Sequence, residues 1–191
     1  MRTKLLLMLA GILVLNSITT AAQEPNSFSI SIGKMESQTI LYTIYRGPYE
    51  KVGQAIGELY AVAGKNRINP QGNLRFVYLN NPHLFALNAQ HCIVEIQIPV
   101  SQDALKLAGT LGTMTDIKTL IAMDTVVIKK PAGCKDYGAV YTYLFAWIAK
   151  NGYRPIDNAF EVFESGGQNQ TCENIAQSDI VVPVTKVSDA K

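Results

Sequence analysis

GQAIGELYAVAGKNRINPQGNLRFVYLN, residues 53–80, decides the fold because it recurs. Shifted by 85 residues it lies over GAVYTYLFAWIAKNGYRPIDNAFEVFES, residues 138–165, and eight of 28 positions are identical. These are Gly53/Gly138, Leu59/Leu144, Ala61/Ala146, Lys65/Lys150, Asn66/Asn151, Pro70/Pro155, Asn73/Asn158 and Val77/Val162. Tyr60 meets Phe145, and Tyr78 meets Phe163. With one gap, Ile96-Gln97-Ile98-Pro99-Val100 then lies over Ile180-Val181-Val182-Pro183-Val184. Such a run in one register implies two structural copies, over 28–100 and 113–185, joined by a linker at 101–112. Two copies predict a pseudo-symmetric domain, not a solenoid.

Each copy has the same predicted order. In copy one, 28–35 and 38–45 predict two strands joined by a short turn. Arg46-Gly47-Pro48-Tyr49 turns the chain into a helix, since Pro is tolerated at a first helical position. Tyr49, Val52, Ile56, Leu59, Tyr60 and Ala63 recur at helical spacing. Pro70 and Gly72 mark a loop. Residues 74–79 and 92–100 predict strands, the second alternating Cys92, Val94, Ile96 and Ile98 with Glu95 and Gln97. In copy two, 117–122 and 125–129 predict the opening strands, and 136–150 the helix. Asn151-Gly152 supplies its stop, and 160–164 and 179–185 the closing strands. The expected class is α+β: antiparallel sheets with one helix per copy and a central groove between the copies, a usual place for a pocket.

The basic start with Arg2 and Lys4, the apolar run from Leu5 to Leu15 and the small residues Thr20-Ala21-Ala22 predict a secretory signal peptide over 1–22. Its apolar run is shorter than the ~20 residues that a membrane span needs. The domain then occupies 23–187, with 188–191 as a disordered tail, and the location is periplasmic or secreted. Removing Arg2 and Lys4 from 17 basic residues leaves 15, equal to the 15 acidic ones. That balance argues against nucleic acid, which requires a positive face. Cys92, Cys134 and Cys172 make an odd set, compatible with one disulfide plus a thiol or with three free thiols. No CxxC is present, and His83 and His91 are not spaced to join the cysteines at a metal.

One position breaks the repeat. Copy one reads Leu74-Arg75-Phe76-Val77-Tyr78-Leu79, and copy two reads Ala159-Phe160-Glu161-Val162-Phe163-Glu164. Glu161 takes the place of Phe76 and shares its strand face with Phe163. The expectation is a carboxylate pointing among apolar side chains. Such a group becomes neutral or takes a cationic partner, and surrounding rings would favour a cation. A protein lysine, arginine or tyrosine is the alternative partner.

Tyr45-Arg46-Gly47-Pro48-Tyr49-Glu50, Phe76-Val77-Tyr78-Leu79-Asn80-Asn81-Pro82, Trp147-Ile148-Ala149-Lys150-Asn151-Gly152-Tyr153, Phe160-Glu161-Val162-Phe163 and Val182-Pro183-Val184 form an ordered set. In that order they resemble the GyrI-like family, the effector-binding domain also found behind AraC-type and MerR-type DNA-binding domains. The resemblance covers nearly all of the chain past residue 22. It implies a duplicated strand–helix–strand–strand (SHS2) fold of the SOUL-like superfamily, with a ligand groove on the pseudo-twofold axis. It also implies that Glu161 is the pocket carboxylate. The chain departs from the family in carrying no helix-turn-helix pattern ahead of the domain, and an exported protein would not meet DNA or gyrase. The turn of copy two, Lys130-Pro131-Ala132-Gly133-Cys134, lacks the Gly-Pro-Tyr of copy one.

Two functions from different classes follow. The first is binding of an amphipathic or cationic small molecule, with Glu161, Phe163, Tyr78, Phe76, Trp147, Tyr141 and Tyr45 as the candidate site. The second, implied by the resemblance, is hydrolysis of a strained electrophile, with Glu161 as general base beside Tyr141 or Tyr143. Haem binding of the SOUL type is a lesser alternative, since neither His83 nor His91 stands in a ligand-like setting. The expected partner is a small molecule, without cofactor, metal or membrane anchor, bound by a monomer. The Ser, His and Asp residues form no GxSxG motif, and Gly64-Lys65-Asn66 ends a helix instead of opening a phosphate loop.

Overall fold

The structure, a computed structural model, describes residues 29–80, 92–129, 137–163 and 178–187. The signal-peptide segment, His83, His91, Cys134, Cys172 and the tail lie outside the described residues.

The strands are β1 (Ile30–Met35), β2 (Gln38–Gly47), β3 (Leu74–Tyr78), β4 (Cys92–Val100), β5 (Thr115–Leu120), β6 (Met123–Lys129), β7 (Tyr153–Pro155), β8 (Phe160–Phe163) and β9 (Ser178–Lys186). The helices are α1 (Val52–Lys65) and α2 (Tyr137–Lys150). A 3-10 turn at Tyr49–Lys51 leads into α1, and another, Gln102–Leu107, lies in the linker. The fold is α+β. The expected antiparallel sheets are the two halves of one sheet, in the order β1-β6-β9-β8-β3-β4-β2-β5, with β7 against β9. Among the described residues every strand pairing is antiparallel.

Both helices lie on one face. Val52, Ala55, Ile56, Leu59 and Ala63 of α1 pack on Leu41, Leu74, Phe76, Val94, Ile96 and Ile98. Val140, Leu144 and Ile148 of α2 pack on Val126, Ile128, Ile180, Val182 and Val184. Burying each of the Val, Leu, Ile and Phe side chains among these contributes about 1.5–3 kcal/mol, which places most of the stability in these two cores. On the other face a smaller cluster gathers Met35, Val77, Phe160 and Val181.

The helix ends repeat as the sequence does. The Asn66 side chain donates to the Val62 carbonyl at 2.9 Å, and its counterpart Asn151 donates to the Trp147 carbonyl at 2.8 Å. The next residue turns left-handed in both copies, Arg67 at φ 56° and Gly152 at φ 75°. Only β7 was not expected, being short and ending in a proline. Its Pro155–Val184 pairing has a counterpart in the lone Pro70–Val100 bridge.

Strand connectivity corrects one expectation. β1 and β2 do not form a hairpin with each other, and neither do β5 and β6. Instead β1 pairs with β6 and β2 with β5, from Ile30 opposite Ile128 through Met35 opposite Met123, and from Gln38 opposite Leu120 through Thr43 opposite Thr115. The register is the same on both sides of the bends at 36–37 and 121–122. One long two-stranded ribbon thus ties each copy to the other, with its midpoint between residues related by the repeat. The second junction is β3 on β8, where Leu74 faces Phe163, Phe76 faces Glu161 and Val77 faces Phe160. Phe76 and Glu161 are equivalent positions of the two copies, so this pair lies on the pseudo-twofold axis.

Candidate functional site

Antiparallel partners directly opposite one another share a sheet face. Ile96, Phe76, Glu161 and Ile180 therefore form one row across four strands, on the face that carries the helices. All four are at most 1% exposed. The row is symmetric about its centre except for the carboxylate. Along β8, Phe163 lies on the same face, its ring 4.7 Å from that of Phe76 at 62°. Phe76 meets the Tyr78 ring edge-on at 6.3 Å.

Tyrosines reach this floor from three elements. Tyr141 comes from the first turns of α2, which the buried series Val140, Leu144 and Ile148 holds on the sheet. Its hydroxyl donates to Glu161 Oε1 at 3.1 Å. Tyr78 ends β3 and shares a hydrogen bond with Tyr49, which the Gly47-Pro48 turn delivers ahead of α1. Burial, more than any other cause, raises the phenol pKa of both Tyr78 and Tyr141, and the nearby Glu161 charge raises them further. Both phenols stay protonated and available as donors. The result is a buried carboxylate bordered by Phe76 and Phe163 and addressed by a phenol. It can accept hydrogen bonds, hold a cation, or take up a proton.

The other candidates are placed as follows. Tyr45 packs on the first core, and its hydroxyl donates to the Pro48 carbonyl at 2.7 Å. It faces Val94, which faces Tyr78, and so stands two strands away from Tyr78. Trp147 is half-buried against the second core with Ile30 and Tyr153. Tyr143 is 46% exposed, while its neighbour on the helix, Tyr141, donates to Glu161. Tyr49 joins the cluster although the sequence marks it only as part of the apolar stripe of α1. The turn that aims it, Gly47-Pro48, was the available signal.

The opposite face carries its own charges. Glu95 forms an ion pair with Lys118 at 2.5 Å and accepts from Gln97 at 2.6 Å, while the Lys118 ammonium lies 4.5 Å from the centre of the Tyr42 ring. Cys92 is a fully buried free thiol, which burial pushes up to about 11. Among the described residues there is no group of three or more His, Cys, Asp or Glu able to hold a metal, and no helix long and apolar enough to cross a membrane.

No family model matches the chain, and no curated protein matches it. Solved structures do. The EcmrR chain in its DNA complex matches with a TM-score of 0.67 at 15% identity, over 84% of this chain and 58% of that one. This chain thus spans little more than half of that protein's length. The separate EcmrR C-terminal domain matches with a TM-score of 0.64 at 16% identity, over 84% of this chain and 99% of the domain. A hydrolase from Listeria innocua matches with a TM-score of 0.53 at 12% identity, over 82% and 91%. At these identities the likeness shows the fold, and it is the fold that the GyrI-like resemblance implies.

Proposed function

We propose that the protein binds a small amphipathic cation, with Glu161 as its counter-charge and the Phe76, Phe163, Tyr78 and Tyr141 rings as its surroundings. One observation carries the proposal: a carboxylate only 1% exposed, on the axis between the two copies, whose bond from Tyr141 comes from a neutral donor. Removing a carboxylate from water is costly. A guest cation offsets that cost more fully than a phenol, and aromatic rings add cation–π attraction. The GyrI-like resemblance supports the same residue, and the match to a separately folded C-terminal domain supports a self-contained binding unit. The basic start and apolar run of residues 1–22 support export, so that the ligand would be met outside the cytoplasm.

The test is titration of the purified protein with lipophilic quaternary ammonium dyes and their uncharged isosteres, followed by dye anisotropy. The Glu161→Gln variant is expected to lose at least about tenfold in affinity for the cations, as for a charge-assisted contact, while the isosteres are unaffected. Equal cation affinity in the variant would refute the proposal.

The Tyr141–Glu161 bond also favours a second reading, hydrolysis of a strained electrophile such as an epoxide, with Glu161 as general base and Tyr141 orienting it. The Listeria hydrolase match supports it at the level of the fold. Consumption of such an electrophile by the wild type, abolished in Glu161→Gln, would select this function over simple binding.

A further inference from the structure

A second charged residue stands where the other copy has an aromatic one. Arg75 is the repeat counterpart of Phe160, just as Glu161 is the counterpart of Phe76. Arg75 projects to the face away from the helices and is 9% exposed. Its guanidinium lies 5.3 Å from the centre of the Phe160 ring. One terminal nitrogen donates to Gln38 Oε1 at 2.6 Å and the other approaches the Met35 sulfur at 3.7 Å, while Nε is buried with no acceptor. Burial pulls its pKa below the usual guanidinium value, though an arginine remains charged at any physiological pH. Among the described residues no carboxylate stands within ion-pair distance of it. A buried charge satisfied only by neutral and weak acceptors is an expensive arrangement for a purely structural side chain.

Arg75 also lines a cleft of about 560 Å³ at the strand ends of the first copy, where the starts of β2 and β3 and the end of β4 meet. The volume suits a small-molecule site, which typically occupies about 300–1,000 Å³. Ser37, Gln38, Thr39, Gln71, Gln102 and Thr119 line it as well. They offer hydroxyls and amides, each able both to donate and to accept. Arg75 is the only charged residue of the described lining. The acids nearest in sequence to these residues, Glu36 and Asp103, do not line it.

We propose that this cleft is a second ligand site, selective for a small polyhydroxylated monocarboxylate of the sugar-acid type. The carboxylate would pair with the Arg75 guanidinium, whose planar fork matches carboxylate geometry, displacing the Gln38 amide or joining it. The hydroxyls would meet the ring of Ser, Thr and Gln side chains. The site is independent of Glu161, which does not line the cleft, projects to the sheet face opposite to that of Arg75 and carries the opposite charge.

Isothermal titration of the purified protein with D-gluconate, and with uncharged D-sorbitol as comparator, tests the proposal. Saturable gluconate binding is expected, with sorbitol at least about tenfold weaker. Arg75→Met removes the counter-charge. Thr119→Trp, on an exposed position of the edge strand β5, fills the cleft and leaves Arg75 in place, so it decides the matter should Arg75→Met fail to fold. Both variants should lose at least about tenfold in gluconate affinity. Absence of saturable gluconate binding, equal binding of sorbitol, or undiminished binding in Thr119→Trp would each overturn the proposal.

Discussion

At the scale of single residues, the burial of Glu161 costs stability. It lies in a row of otherwise apolar side chains, with Phe76 and Ile180 on either side. Replacing a buried polar pair by apolar groups of similar shape is often neutral or stabilising, whereas removing one partner strands the other. Urea denaturation should therefore find the Glu161→Leu/Tyr141→Phe double variant at least as stable as the wild type, by up to about 2 kcal/mol. Glu161→Leu alone should gain less, because the Tyr141 hydroxyl loses an acceptor. The same tyrosine sets a pH dependence. In the unfolded chain its phenol ionises near pH 10, whereas in the folded protein burial and Glu161 keep it protonated to higher pH. Above pH 10 the unfolded state holds fewer protons, so stability is complete below that point and falls as pH rises. The double variant should show a shallower fall. The burial of Glu161 was legible from sequence because its counterpart is Phe76. The same comparison sets Arg75 against Phe160, but arginine on a strand so often faces solvent that the substitution attracts no notice without its burial. Tyr141 and Tyr143 could not be separated, since the choice depends on how α2 is rotated against the sheet.

At the scale of elements, the Arg46-Gly47-Pro48 turn determines where Tyr49 enters the cluster. A Cβ built on Gly47 would stand 2.7 Å from the Tyr45 hydroxyl oxygen, the same group that donates to Pro48. Gly47→Ala forces the Tyr45 ring aside and breaks that bond. Thermal denaturation should show a loss of about 1–2 kcal/mol, and an unchanged melting temperature would contradict this account of the turn. Most strands and both helices were legible to within a few residues, because alternation and helical spacing are local signals. The partners of β1 and β5 were not. A two-residue break such as Glu36-Ser37 resembles a hairpin turn, and the pairing that distinguishes a bend from a hairpin is made with residues about 85 positions away.

At the scale of the molecule, two cores share one sheet. The ribbon of β1–β6 and β2–β5 and the β3–β8 junction both cross from one copy to the other, so neither core can open without unpairing strands of its neighbour. A single cooperative transition is expected. Leu59 belongs to the first core, and Trp147, the only tryptophan, packs against the second. Leu59→Ala should lower stability by about 2–5 kcal/mol and should move the Trp147 fluorescence transition and the far-UV circular dichroism transition together. A Trp147 transition that stays in place while the other shifts would mean that the halves unfold separately.

The pairing of Phe76 with Glu161 has a consequence for assembly. Positions on a twofold axis meet their own image. Were the two halves separate but identical chains, the second would set acid against acid across the junction and the first would set benzyl against benzyl. Like charges so placed would repel, and one would be driven to hold a proton. Only a pair of unequal halves can set an acid against a benzyl group at that crossing, so no homodimer assembled from either half could reproduce it.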